Sequence, residues 1–347
     1  LLMLPAIPLN AQREAKQIGD FKESISLNEH LRGTKRTLQY RPDGDEFVCV
    51  NGKNRYTRAL YGSHSPFRVE TSDRPVFAFY NNGRGGNISF KVILRDGTEL
   101  ALDCTGHCES RYSAGKRTYY LTDPSWGKGE LRISVLALAD MDGAIWRFSP
   151  SNMPKGAILR WQHGGATGKR LSRNGDMGVD PADCFELPVE ATDLVTGELP
   201  LQKEVYLVRG EVPEDYNVRK LYQQAEAASL ALASHLKIET PDPYLNTLGG
   251  ALVAAADGIW DGQVWLHGAI GWRMPLSGWR AGYTGDALGW HDRARTHFDA
   301  YAASQVTDVP NTIPHPAQDS TMNLARSEKR WGTPQYSNCL LYTSDAA

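Results

Sequence analysis

Apolar and polar positions alternate with period two from about residue 36 to 212, interrupted by turn-forming residues, which is the pattern of strands with one buried face. In "EFVCVNGKNRYTRALYG", Asn51-Gly52 stands between two such runs, and in "FKVILRDGTELAL" Asp96-Gly97 does the same. Both dipeptides accept the positive φ of tight hairpin turns, so both spots predict hairpins. Further strands are expected in "KRTYYLTD", "GELRISVLALAD", "AIWRFS", "AILRWQHG" and "QKEVYLVRGEV". No long helical stretch interrupts them, and a large antiparallel β-sandwich over 36–212 is the economical reading.

The period changes after Pro213. Val218, Leu221, Tyr222, Ala225, Ala228, Leu232 and Leu236 fall on one helical face, with Glu214 and Asp215 at its positive end, so 213–239 is predicted as a linker helix. "TPDP" at 240–243 ends it, because proline cannot donate the helix hydrogen bond. A second helix follows, with Tyr244, Leu245, Leu248, Ala251, Leu252, Ala255 and Ile259 expected to face inward and "GGALVAAA" allowing close approach. A third is expected from about Asp286 to Ser304, with Trp290, Ala294, His297, Phe298 and Tyr301 as its apolar stripe; the segment before it reads as a loop. Beyond about residue 306 the pattern is irregular.

Composition narrows the partners. The 347 residues carry a net charge of -2, which removes any global electrostatic reason to expect nucleic acid or an anionic membrane surface. No apolar run after the first residues is long enough to span a bilayer. The opening "LLMLPAIPLNAQ" has the form of the end of an apolar leader with a small-residue cleavage site after Ala11, so residues 1–11 are expected to be a signal-peptide remnant and the protein periplasmic or secreted. At the other end, "CLLYTSDAA" at 339–347 resembles a translated sequencing-adapter read-through and is set aside from the fold. The expected biological chain is therefore longer.

Three short motifs are set aside. "CTGHCE" offers Cys104, His107 and Cys108, but no second ligand pair stands at zinc spacing, which leaves a local disulfide or a pair of free thiols. No metal or other cofactor is expected. The glycine-rich "NNGRGGN" and "GGATGKRLS" lack the strand-to-helix setting or spacing of a phosphate loop, and both read as strand connections.

The stretch that carries chemistry is residues 260–293. It holds Trp260, Trp265, Trp272, Trp279 and Trp290, five of the nine tryptophans, interleaved with Asp261, His267, Arg273, Arg280, Asp286, His291, Asp292 and Arg293. A sugar ring presents apolar C–H faces and a belt of hydroxyls, so its site needs flat aromatic surfaces beside fixed donors and acceptors. Arg and Asp can each engage two adjacent hydroxyls. Packing of a core by these rings, with the charges pairing among themselves, is the competing reading for any single tryptophan.

The segment "DGIWDGQVWLHGAIGWRMPLSGWRAGYTGDALGWHDRARTHF", together with the order sandwich, helix, further helices, resembles bacterial glycoside hydrolases of the six-hairpin class. In these a β-sandwich and a linker helix precede an (α/α)6 toroid, and the sandwich is similar to a Bacteroidetes domain of unknown function found before such barrels. The resemblance implies that 240–338 is the N-terminal part of the toroid. It implies a sugar-subsite role for Trp279, Arg280, Asp286, Trp290 and Asp292, with His267 and Trp272 as second choices. Hydrolysis needs a carboxylic acid and a second carboxylate at a set separation. Asp286 and Asp292 are the candidates within the chain, but in the resembled class the acid comes from a later hairpin, beyond the helices read here. The implied function is thus an exported glycoside hydrolase, present as a fragment and acting on a polysaccharide or oligosaccharide. The alternatives are a non-catalytic carbohydrate-binding or scaffold protein and a polysaccharide lyase, the latter drawing on Arg280, His291 and Arg293.

Overall fold

The computed structural model describes residues 39–65, 67–81, 84–164, 194–213, 215–266 and 278–303. These residues form two seven-stranded sheets and four α-helices. The first sheet runs β1 (Arg41–Asp43), β2 (Glu46–Val50), β8 (His107–Ser113), β9 (Lys116–Thr122), β10 (Glu130–Ala137), β11 (Gly143–Ser151), β14 (Val205–Gly210). The second runs β13 (Val195–Pro200), β12 (Ile158–Gly164), β6 (Arg84–Ile93), β5 (Phe77–Asn81), β4 (Arg68–Thr71), β3 (Arg58–Tyr61), with β7 (Glu99–Ala101) also on β6. Every strand pairing is antiparallel.

Alternating positions of the two sheets meet in one core. Leu60, Val69, Phe77, Ile88 and Phe90 of the second sheet pack with Tyr119, Leu131, Ile133, Trp146 and Phe148 of the first. Phe77 sits edge-on to Phe90, Tyr119 and Trp146 at centroid distances of 5.7–5.9 Å, a geometry that suits aromatic quadrupoles. One ion pair is buried at the edge of this core. Arg117 and Asp73 are fully enclosed, and Asp73 also accepts from the Asn54 amide at 2.9 Å and from the Tyr40 hydroxyl.

The five strand runs expected between residues 116 and 212 are β9, β10, β11, β12 and β14. Asp96-Gly97 makes the expected β6–β7 hairpin, with Gly97 at φ +88°. Asn51-Gly52 does not make a hairpin. Asn51 has φ +51°, yet the chain then crosses to the other sheet, where β3 pairs with β4. The side chain of Asn51 accepts from the Cys108 amide at 2.9 Å, which holds this corner against the start of β8. "NNGRGGN" does join two strands, β5 and β6, whereas "GGATGKRLS" lies outside the described residues from 165 onward. Cys104 and Cys108 are free thiols, Cys104 exposed and Cys108 buried.

The linker helix is α1 (Val218–Ala233), capped by Asn217, whose side chain accepts from the Lys220 amide at 2.9 Å. Its Tyr222 and Ala225 pack on Leu136, Leu138 and Ile145 of the first sheet. Asp242 caps α2 (Pro243–Gly258) with Pro243 in the first turn. The buried side of α2 differs from the expected one: Thr247, Gly249, Val253, Ala254 and Gly258 are buried, while Leu245 and Leu252 are about half exposed. This helix is apolar nearly all round, so periodicity could not select a face; close approach did. A Cβ at Gly258 would lie 2.2 Å from the Tyr61 ring, so only glycine lets α2 rest on β3.

Helix also begins earlier than the pattern suggested. α3 (Gly278–Ala287) occupies part of the expected loop, and α4 (His291–Ala303) follows after a break at Leu288–Trp290. Gly289 at φ +75° makes the break: its amide donates to Asp286 O and the Trp290 amide to Gly285 O, both at 2.8 Å, the paired bonds of a Schellman cap. Asp286 is therefore at the end of one helix and Asp292 in the first turn of the next. No helix among the described residues is long and apolar enough to cross a membrane.

Candidate functional site

Trp260, Trp265 and Trp290 pack against one another in series, the first pair tilted and the second nearly parallel. After α2, Asp261 Oδ1 accepts from the Gln263 and Val264 amides at 2.9 and 2.8 Å, closing a turn that pairs Trp260 with Trp265. The two indoles lie 4.6 Å apart and are buried. Trp265 is fixed further by its Nε1–H to Ala256 O and by its backbone amide to His297 Nδ1, both 3.1 Å. That second bond makes Nδ1 the acceptor of the enclosed His297 ring and puts the proton of the neutral ring on Nε2.

Trp290 extends the stack toward solvent. Its ring is nearly parallel to Trp265 at 6.4 Å and to His235, just past α1, at 5.3 Å. The guanidinium of Arg293 lies 4.6 Å from the Trp290 centroid and 5.7 Å from that of Trp260. Trp290 is half-buried, and three polar residues near it in sequence are exposed: Asp286 and His291, which pair with each other, and Asp292. Packing as core thus accounts for Trp260 and Trp265, while Trp290 presents a partly open ring, with the exposed Asp286 and Asp292 close to it in sequence.

Of the other residues assigned to the sugar subsite, Trp279 and Arg280 fall in the first turn of α3 and their side chains are outside the described part. His267 and Trp272 lie outside the described residues altogether. The structure therefore brings Trp290, Asp286 and Asp292 to one region and gives no placement for the other four side chains.

One ionic centre was not foreseen. Asp257, in the last turn of α2, accepts on Oδ1 from Arg293 Nη1 at 2.7 Å and faces His64 Nε2 at 3.2 Å on the same oxygen. Burial opposes its charge, but the hydrogen bonds and charges of His64 and Arg293 outweigh that and hold the carboxyl below the usual aspartate range. The trio joins the β3–β4 connection, α2 and α4. Contact between His64 and Asp257 spans 193 positions, and neither "GSHSP" nor "AADGI" carries a local signal of it. Among the described residues no group of three His, Cys, Asp or Glu side chains is placed to hold a metal ion.

One family model matches part of the chain, and one solved structure shows a low-scoring similarity to it. A family model described as a domain of unknown function (DUF4450) matches residues 82–211, from the β5–β6 connection to just past β14. No curated protein matches the sequence. Among solved structures, the chain is similar to a bacterial glucoamylase complexed with acarbose, at 9% identity and a TM-score of 0.46, over 74% of this chain and 53% of that one. The chain spans about half the length of that structure.

Proposed function

We propose that the chain is the sandwich and leading helical part of an exported glycoside hydrolase, whose sugar subsite includes Trp290, Asp286 and Asp292, with Trp279, Arg280, His267 and Trp272 completing it. The observation that supports this most directly is the Trp290 ring, in contact with Trp265, His235 and Arg293 yet part-exposed, with the exposed Asp286 and Asp292 near it in sequence. A fixed indole with neighbouring carboxylates offers an apolar face for ring C–H groups and acceptors for hydroxyls. In this reading α2, α3 and α4 begin an (α/α)6 toroid. The half-exposed Leu245 and Leu252 on α2 and Tyr283 on α3 are apolar surface that later hairpins would cover.

Asp257 serves in this reading as a clamp and not as the general acid, because its neighbours favour the charged form whereas an acid must be held protonated near neutral pH. In this reading the general acid is supplied from outside the His64–Asp257–Arg293 trio. A second reading, carbohydrate binding without hydrolysis, draws on the same fact: Asp257 is held ionised and Asp286 is paired with His291.

The test is calorimetric titration of the chain with a panel of plant and host oligosaccharides, alongside chromatographic assay of products. Trp290→Ala should weaken binding of a responding glycan by about tenfold, equivalent to about 1.4 kcal/mol. Product release separates hydrolase from binder. A folded chain that binds no glycan on the panel refutes both readings.

A further inference from the structure

On the sandwich side of the His64–Asp257–Arg293 trio lies a cleft of about 240 Å³, bounded by β3, the β8–β9 turn, the end of β10, α1 and α2. It is separate from the Trp290 rim: Arg293 is the one residue that borders both, its guanidinium stacked on Trp290 and bonded to Asp257. Pockets for drug-sized ligands run to about 300–1,000 Å³, so this one suits a single small ring.

Its walls have two kinds of surface. Ala59, Ala137, Ala139, Ala225, Ala228 and Ala254 make a methyl-lined apolar side drawn from both sheets and both helices. The polar side is the trio with Tyr61 and Ser229. Asp257 spends only Oδ1 on Arg293 and His64; Oδ2 has no hydrogen-bond partner among the described residues. An ionised carboxylate can only accept, so Oδ2 calls for a donor on the ligand. Donors in return come from the remaining N–H groups of Arg293 and from the Tyr61 hydroxyl, which bonds to no described residue. Ser229 gives its proton to Ala114 O at 2.6 Å and keeps lone pairs to accept with.

The charges facing the cleft are Arg293 and Asp257, which offset one another, and His64. An anion would have to displace Asp257 from Arg293 or His64, and a cation would have to displace those two from Asp257, and leaving a buried charge unpaired is costly. A neutral molecule with a C–H face and several hydroxyls meets every surface present. We propose that this cleft is a binding site for one neutral pyranose, seated between the sandwich and the helices, with a hydroxyl donating to Asp257 Oδ2 and its C–H face on the alanines. The site stands on the cleft's own geometry and does not require the chain to be a hydrolase.

The experiment is calorimetric titration of the chain with D-glucose, D-galactose, D-mannose and D-xylose, with butyrate as the anionic control. At least one sugar should bind with a dissociation constant in the millimolar range or tighter, and butyrate should not. Ala228→Leu fills the apolar side without touching the trio and should weaken that sugar by about tenfold or more. Asp257→Asn should also weaken it; because this change can loosen the seam, its melting temperature is measured in parallel, and Ala228→Leu decides the case. Trp290→Ala, which removes the ring that Arg293 stacks on, should weaken the sugar less than Ala228→Leu does. The proposal is overturned if no sugar binds, if butyrate binds in their place, or if Ala228→Leu has no effect on affinity. Loss on Trp290→Ala alone would place the sugar at the Trp290 rim and leave the hydrolase reading standing.

Discussion

Arg293 donates Nη1 to Asp257 Oδ1 at 2.7 Å across 36 positions of sequence, tying the first turn of α4 to the last turn of α2. Both side chains are mostly buried, at 27% and 13% exposure, so the bond is shielded from much of the solvent that weakens surface pairs. A hydrogen bond to a charged group is worth about 1.5–3 kcal/mol. Arg293→Met keeps an aliphatic stem but removes this bond together with the guanidinium's contacts with Trp260 and Trp290. Amide exchange in α4 is expected to accelerate by roughly one to two orders of magnitude, while that in β9 and β10 stays unchanged. Equal acceleration in helix and sandwich would show that the pair holds the whole molecule and not the helical seam.

Asp257 also gives the seam an acid limit. Its carboxyl is held below the ordinary value of about 3.9, so the folded state binds its proton more weakly than the unfolded chain does. The resulting stability is present above the unfolded value and is lost as pH falls through the lowered folded one. Melting curves taken between about pH 2 and 5 should therefore show a steep acid limb that Asp257→Asn makes shallower. An unchanged limb would mean that other carboxylates carry the acid sensitivity.

These relationships show what was legible in the chain and why. Period-two runs revealed β9 through β12 and β14 because each strand has one core face and one outer face, and the position of α1 followed from a clean apolar stripe. Asn51-Gly52 misled because turn chemistry specifies a bend and not which sheet receives the next strand. The buried side of α2 was hidden since a helix apolar on most sides has no preferred stripe; its seam is set by the absence of side chains at Gly249 and Gly258. Around the site, Trp260, Trp265 and Trp290 meet, but spacing could not separate the buried Trp260 and Trp265 from the part-exposed Trp290. The His64–Asp257 contact depends on tertiary docking of the helices on the sandwich and leaves no local trace.

The cysteines offer a chemical check on the sandwich. Cys104 is exposed, whereas Cys49 and Cys108 are enclosed and burial pushes the Cys108 thiol up to about 12. Because the thiolate is the reactive form, alkylation of the native protein mapped by mass spectrometry should find Cys104 modified and Cys49 and Cys108 protected until denaturant is added. Partial burial and neighbouring Asp103 raise the Cys104 thiol too, so its rate should still be climbing above the ordinary thiol range of about 8.5. A Cys104 that resists alkylation until reductant is added would show instead that it is bridged to Cys108.

Gly258 and Tyr61 test whether the sandwich and helices form one cooperative body. Gly258 rests against the Tyr61 ring so closely that a Cβ would fall 2.2 Å from its nearest carbon. The nearest atom is Cγ, at the root of the ring, which ring rotation does not move; Tyr61 sits at the end of β3, paired with Arg68 of β4, and burial pushes its hydroxyl up to about 12. Gly258→Ala must therefore push α2 away from β3 rather than rotate a side chain aside, and overpacking of this kind costs about 1–3 kcal/mol. Alanine favours helix over glycine by about 1 kcal/mol, which works in the opposite direction and leaves a net loss only if the clash dominates. Gly250→Ala supplies the comparison, since there a Cβ would meet the methyls of Ala114 and Ala233 at 3.1 and 3.3 Å, a contact that a few tenths of an ångström relieve. The expected order of thermal stability is Gly250→Ala at or slightly below the parent chain and Gly258→Ala clearly lower. The reverse order would mean that α2 does not bear on β3, and the cleft between them would lose its wall.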